Sequence, residues 1–249
     1  MAGNTSQPAT SVASRVLALL RAFDTSHRRL TLTELARRAQ LPVPTTYRLA
    51  RELVTGGALE RHPDGEYVVG RLLWDVGLLA PLPTGLRELA APFLADLHAA
   101  TRATVHLAVR DGEQVLYLDR LSGLSSVPIV STVGSRLPLH CTGVGKVLLA
   151  HAPDEVRESV LARLPRVTPY TITQPARLVT QLEHVRRDGF ATTQEEMTLG
   201  ACSVAVPVRR GADGPVVASI GVVVPSLKRD RLRLITALQV AANGIGRSL

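Results

Sequence analysis

Long apolar runs, cysteine, lysine and aromatic residues are all scarce in this chain, and each shortage excludes something. The longest nearly unbroken apolar stretch in its 249 residues is Val216 to Val224. That is nine positions, where a membrane-spanning helix needs about 20, so no membrane association is expected. The start, MAGNTSQPATS, lacks the basic residues and apolar core of a secretion signal. Only two cysteines are present, Cys141 and Cys202, which speaks against a disulfide framework and for a reducing, cytoplasmic setting. No cysteine or histidine pair has zinc-ligand spacing and no phosphate loop is evident, so neither metal nor cofactor is expected. Aromatic residues are 3% of the chain, poor equipment for stacking unpaired bases.

What is present is a folded-protein composition with a basic surplus. Hydrophobic residues at 45% and charged residues at 20% exclude disorder throughout. The length suits one or two domains of roughly 100–200 residues. The formal charge is +8, and all but two of the 29 positive residues are Arg, the exceptions being Lys146 and Lys228. Arg offers a planar fork suited to phosphates and guanine edges, although a GC-rich genome produces the same bias. With so few aromatics, a nucleic-acid partner would be duplex DNA. Positions 1–80 carry ten Arg against seven acidic residues, and the rest 19 basic against 14 acidic. Charge alone therefore marks no binding surface.

Pattern is more selective. Val12, Val16, Leu19, Leu20 and Phe23 form one stripe of a helix over 11–23. In the following LTLTELARRAQ, Thr31 and Glu34 have capping-box spacing. After Gln40-Leu41-Pro42 a second helix begins, with Pro44 suited to a first helical position and Gly56-Gly57 as its stop. Two short helices joined by a tight turn make a helix-turn-helix candidate. Leu49, Ala50, Leu53 and Val54 would pack inward, while Thr45, Arg48, Glu52 and Thr55 face away, flanked by Thr46 and Arg51. Short hydroxyls and arginines near a helix N-terminus are what major-groove reading requires; an ordinary solvated face is the alternative. Residues 58–61 and 66–69 then read as strands around His62-Pro63-Asp64-Gly65, a hairpin signal. The order defines a winged helix, with Arg61 or His62 on the wing able to touch the minor groove or backbone.

The segment LTLTELARRAQLPVPTTYRLARELVTGGALER resembles the DNA-binding end of the IclR family of bacterial transcriptional regulators. RLPLHCTGVGKVLLA (136–150) and DGFATTQEEMTLGACSVAVPVR (188–209) are similar to two segments of that family's effector-binding domain. The resemblance runs from about residue 11 to the C-terminus. One departure is Val43-Pro44, where many members carry Lys or Ser ahead of the recognition helix; Thr45, Thr46, Tyr47, Arg48 and Arg51 remain available for DNA.

The expected organisation is a disordered tail at 1–10, a winged helix-turn-helix at 11–71, a hinge helix at 72–86 and an effector-binding domain at 87–249. The last reads as α+β, with strands at 103–109, 114–121, 203–209 and 216–224, and helices at 86–100, 142–150, 154–163, 175–187 and 228–247. The resemblance implies a GAF-like fold there. Thr142-Gly143-Val144-Gly145 opens a helix whose free N–H groups could hold a carboxylate. The resemblance places effector contacts at Gly143, Val144, Thr193, Ala201, Ser203, Gly221 and Val223, with Ile129 and Leu137 as an apolar wall. For each glycine, turn geometry is the alternative. Members that bind very small oxo-acids carry Asp near 193, Cys near 203 and Ser at 221 and 223. Thr193, Ser203, Gly221 and Val223 imply a more apolar, roomier pocket and a larger effector such as an aromatic acid.

Two rival readings stand beside this one. His140-Cys141 at a glycine-rich helix start could be a nucleophile, and Glu195-Glu196 an acid/base pair. Neighbouring side chains on extended chain diverge, however, which favours a buried thiol and no enzyme. An architectural DNA binder without a ligand is the other rival. The reading adopted is a homodimer, or a dimer of dimers, on a palindromic operator, with a small-molecule effector acting through the hinge.

Overall fold

A computed structural model of the chain describes residues 11–24, 26–78, 84–122, 127, 130–211 and 213–249. The tail expected at 1–10 and the wall residue Ile129 lie outside them. The chain divides into two compact units, Met1–Leu82 and Pro83–Leu249.

The first unit starts with α1 (Val12–Arg21), capped by the Ser11 hydroxyl, which accepts from the Ser14 N–H. Helix α2 (Leu32–Ala39) carries the complete capping box between Thr31 and Glu34. It stops at Gln40, which adopts the left-handed conformation at φ 55°. Helix α3 (Val43–Thr55) starts one residue before Pro44, with Pro42 at the cap position. Strands β1 (Leu59–Arg61) and β2 (Tyr67–Val69) pair antiparallel across the expected turn. Leu30 adds a bridge to this wing by exchanging backbone hydrogen bonds with Tyr67 at 3.0 and 2.8 Å. Leu19, Leu30, Leu35, Leu49, Leu59 and Tyr67 close one small core under all these elements. Helix α4 (Arg71–Leu78) follows.

In the second unit, α5 (Thr84–Thr101) leads into β3 (Thr104–Asp111) and β4 (Gln114–Leu121), a hairpin turned at Gly112. Then come β5 (Arg136–Pro138), α6 (Gly143–Ala150), α7 (Asp154–Ala162) and α8 (Pro175–Asp188). Strands β6 (Ala191–Gln194), β7 (Cys202–Arg209) and β8 (Val216–Val224) and helix α9 (Arg231–Arg247) complete the unit. The short strands β5 and β6 escape the sequence reading; the hinge helix expected at 72–86 is described only over Arg71–Leu78, with 79–83 outside the described residues and α5 starting at Thr84, and the remaining elements fall within a few residues of their expected places. The strands form one antiparallel sheet in the order β5-β4-β3-β8-β7-β6, so the first and last long strands meet at its centre. One face packs on α5 and α9 through Val105, Leu107, Val206, Ile220, Leu94 and Leu238. The other face packs on α6 and α8 through Ala108, Tyr117, Ala205, Val147 and Leu182. The result is α+β.

Candidate functional site

Helix α3 sorts its residues by the 3.6-residue period. Leu49 and Ala50 are buried, while Tyr47, Arg48 and Arg51 are exposed and Thr45 is half-buried. Thr46 corrects the sequence reading. It lies three and four residues before Leu49 and Ala50, so it shares their inward face, is 0% exposed, and cannot reach DNA. Its hydroxyl has no hydrogen-bond partner among the described residues. On the wing, Arg61 and His62 are exposed, and the Arg61 guanidinium lies 5.7 Å from the centroid of the Tyr67 ring. Arg29 reaches Asp64 at 3.0 Å and Glu66 at 3.1 Å, bracing the wing turn against the segment before α2. Arg48 on α3 and Arg61 on β1 are both exposed.

The second site is a cavity of about 50 Å³ between α6 and the sheet. Antiparallel register explains its lining, because residues opposite one another share a face. Thr193, Ser203, Val223 and Thr104 form one row across β6, β7, β8 and β3. Ala205, Gly221 and His106 form the next. Of the residues expected to contact an effector, Leu137, Gly143, Val144, Thr193, Ala201, Ser203, Gly221 and Val223 all line this cavity.

Gly143 and Gly221 are absent from the positive-φ residues, so turn geometry does not explain them. Both are close-approach glycines. A Cβ on Gly143 would fall 2.5 Å from the Ser203 hydroxyl. One on Gly221 would fall 3.0 Å from a Val144 methyl and 3.0 Å from the Val204 carbonyl. This corrects the expectation of extra room at Gly221: the Val144 side chain already occupies the space.

The first turn of α6 supplies donors. Thr142 caps it by accepting from the Gly145 N–H at 3.1 Å, and the Lys146 N–H bonds the Thr142 carbonyl. The N–H groups of Gly143 and Val144 are left without partners among the described residues, although both residues are buried. Two unpaired, buried N–H groups at a helix start suit an anionic oxygen. Nearby, the Thr193 and Ser203 hydroxyls bond each other at 2.5 Å.

Several lining residues escape the sequence reading: His106, Tyr117, Ser131, Met197 and Thr198. His106 Nε2 lies 2.9 Å from the Ser131 hydroxyl, and its ring meets Tyr117 edge-on at 4.9 Å. Burial, reinforced by the Arg120 guanidinium, pushes the imidazole pKa down to about 3. Burial raises the Tyr117 phenol well above its ordinary value. A lone histidine within TVHLAV was the available signal for His106.

The loop 195–201, which carries Met197, Thr198 and Ala201, is tied down from both sides. Thr168 donates to the Glu195 carbonyl and Thr171 to the Glu196 carbonyl, each at 2.7 Å. Glu196 also meets Lys146 of α6 at 2.5 Å, and the Lys146 ammonium donates to Gln181 at 2.7 Å. Lys146 is 1% exposed, so this pair is an internal brace. Burial lowers the Lys146 pKa and raises that of Glu196, each opposed by the attraction of the other. Glu195 points elsewhere and accepts from the Gly200 N–H at 2.9 Å. The two carboxylates therefore form no acid/base pair. Cys141 is buried against the Met197 sulfur at 3.5 Å, and burial pushes its thiol up to about 12. Its neighbour His140 is committed to the Pro165 carbonyl at 3.0 Å. Such a thiol is inert. Among the described residues no cluster of His, Cys, Asp or Glu could hold a metal ion, and no helix is long and apolar enough to cross a membrane.

A helix-turn-helix unit joined to a sheet domain with an internal cavity defines a DNA-binding regulator with an effector domain. The chain belongs to the IclR family: residues 12–63 match the IclR helix-turn-helix domain and 83–247 the bacterial transcriptional regulator IclR C-terminal domain. It is 30% identical over 217 residues to the HTH-type transcriptional regulator KdgR of Dickeya chrysanthemi, covering 86% of this chain and 70% of that one. To BhcR of Paracoccus denitrificans it is 34% identical over 208 residues, 82% of this chain and 74% of that one. An IclR homolog from Microbacterium hydrocarbonoxydans, solved in complex with 4-hydroxybenzoate, superposes with a TM-score of 0.89 at 35% identity. That match covers 96% of this chain and all of the other. KdgR and BhcR are HTH-type transcriptional regulators.

Proposed function

We propose that the cavity under α6 binds a small organic acid, by its chemistry an aromatic one, and that occupancy controls operator binding. The unpaired Gly143 and Val144 N–H groups beside an apolar wall carry this reading. A carboxylate would accept from them while its ring lies against Leu137, Val144 and Val223. The 4-hydroxybenzoate complex of the Microbacterium homolog supports the same ligand class.

Operator contact is assigned to Thr45, Tyr47, Arg48 and Arg51 of α3, with Arg61 and His62 of the wing, in a cytoplasmic protein. One winged helix reads too few base pairs for specificity, so a homodimer, or a pair of dimers, on a palindromic site is proposed. Exposed apolar side chains support contacts between copies: Val12 and Leu17 on α1, and Leu72, Trp74 and Val76 on α4. The effector acts only through a difference in affinity between two arrangements of the dimer. Calorimetry against benzoate-type acids, glyoxylate and pyruvate tests the ligand class. Tight binding of the two oxo-acids with none of the aromatic acids would overturn it. In a gel-shift assay, Arg48→Ala should weaken operator binding at least about tenfold and leave effector affinity unchanged; loss of both would point to misfolding.

A further inference from the structure

The wing carries the wrong charge for the surface it is proposed to meet. Its hairpin, residues 59–69, holds Glu60, Asp64 and Glu66 against Arg61 alone, with His62 neutral. Duplex DNA presents one phosphate charge per about 1.7 Å of its axis, so free carboxylates at the wing turn oppose its approach. A cation from outside the hairpin alters this. Leu30 pairs with Tyr67 of β2 as an isolated bridge, which sets the preceding residue, Arg29, alongside the wing. One guanidinium then spans both acids of the turn: Nη2 meets Asp64 at 3.0 Å and Nε meets Glu66 at 3.1 Å. The turn presents the acids together. The Glu66 N–H donates to the Asp64 carboxylate at 3.1 Å, and the His62 N–H donates to the Glu66 carbonyl at 2.8 Å.

Stability does not account for this arrangement. The side chains of Arg29, Asp64 and Glu66 are 46%, 50% and 32% exposed, and ion pairs this exposed contribute little. What the pairs change is the charge that the wing turn offers to solvent and to any polyanion.

We infer that Arg29 is a positioning residue for operator binding: it keeps the Asp64 and Glu66 carboxylates paired, so that the wing meets phosphate with Arg61 and His62. This rests on the reading of the wing as part of the DNA surface. Arg29 acts through the two acids, and its effect on binding therefore depends on their presence.

The test is a double-mutant cycle on the full-length protein. The probe is a fluorescent duplex that the wild type selects from a randomised library, and binding is read by anisotropy. Arg29→Gln should weaken binding about tenfold at 50 mM salt, and by less than about threefold at 300 mM, where the freed carboxylates are screened. Its thermal midpoint should stay within about 2 °C of the wild type. In a protein already carrying Asp64→Asn and Glu66→Gln, which keeps an acceptor for the turn, Arg29→Gln should cost no more than about twofold at 50 mM salt. Three results overturn the inference: undiminished binding by Arg29→Gln, a loss that salt does not shrink, or the same loss with and without the two acids. The last would make Arg29 itself a DNA contact. Each of these spares the operator surface as long as Arg48→Ala still weakens binding. Wild-type affinity in both Arg48→Ala and Arg61→Ala would overturn the surface and the inference together.

Discussion

Where the sheet meets α5 and α9, alternate strand residues are Val105, Leu107, Val204, Val206, Ile220 and Val222, all nearly or fully buried. On the opposite face the same strands present Thr104, His106, Thr193, Ser203 and Gly221, and a cavity opens under α6. One face thus stabilises by burial and close packing. The other keeps unsatisfied hydrogen-bonding groups, which cost stability until a ligand supplies partners. Stability and recognition are divided between two sides of one sheet.

The largest effect expected from disturbing this division is at the brace between α6 and the pocket loop. Lys146→Met leaves the Glu196 carboxylate buried without its cation, and removing one partner of a buried pair costs about 3–5 kcal/mol. The double variant with Glu196→Leu should recover most of that in urea denaturation. Recovery of stability without recovery of effector affinity would show that the pair positions Met197 and Thr198. Recovery of both would reduce it to a fold element.

On the apolar face, Leu238 of α9 is 0% exposed, and Leu238→Ala should cost about 3 kcal/mol by loss of transfer energy and creation of a void. Effector affinity of the remaining folded protein should not change. A drop in affinity per folded molecule would show that the two faces are coupled through the strands.

Much of this division was legible in the sequence. Alternation in 103–109 and 114–121 around Asp111-Gly112 located the hairpin of β3 and β4, because a two-residue period and a turn signal are both local. The capping box at Thr31 and Glu34 located α2, because its reciprocal hydrogen bonds are local. Burial on α3 was less legible: Thr46 reads as a surface hydroxyl until the helix phase places it beside Leu49 and Ala50. Strands β5 and β6 have three and four residues, too few for a periodic signal, and they exist because neighbours pair with them. Lys146 within GVGKVLLA and Glu196 lie 50 positions apart, and only the tertiary fold brings them together. Gly221 likewise suggested space that Val144 turned out to fill.

Acid should separate the two faces further. Unfolded chain takes up a proton on His106 near pH 6.5, whereas the folded imidazole resists protonation until about 3. As pH falls through this window the unfolded state binds more protons, so stability declines. The contribution of His106 to that decline is about 2 kcal/mol at pH 5. His106→Leu should therefore show a shallower acid limb in urea midpoints measured from pH 7 to 4. His140 and His151, whose pKa values burial also lowers, keep part of the slope. An unchanged limb in the variant would mean that the imidazole is solvated and that this face is not closed.

The smallest stability effect with the clearest functional readout is expected at Gly221→Ala. The added methyl meets the Val204 carbonyl, which is fixed in the β7–β8 ladder, and the Val144 methyl, which can rotate. Overpacking opposes the gain from removing a strand glycine, leaving a net cost of about 1 kcal/mol. Because the yielding partner is Val144, the displacement is delivered to the cavity wall and to the first turn of α6. Effector affinity should fall by about tenfold, more than the stability change alone would cause. A loss of stability with unchanged affinity would place Gly221 with the packed face, as a glycine demanded by the sheet and irrelevant to recognition.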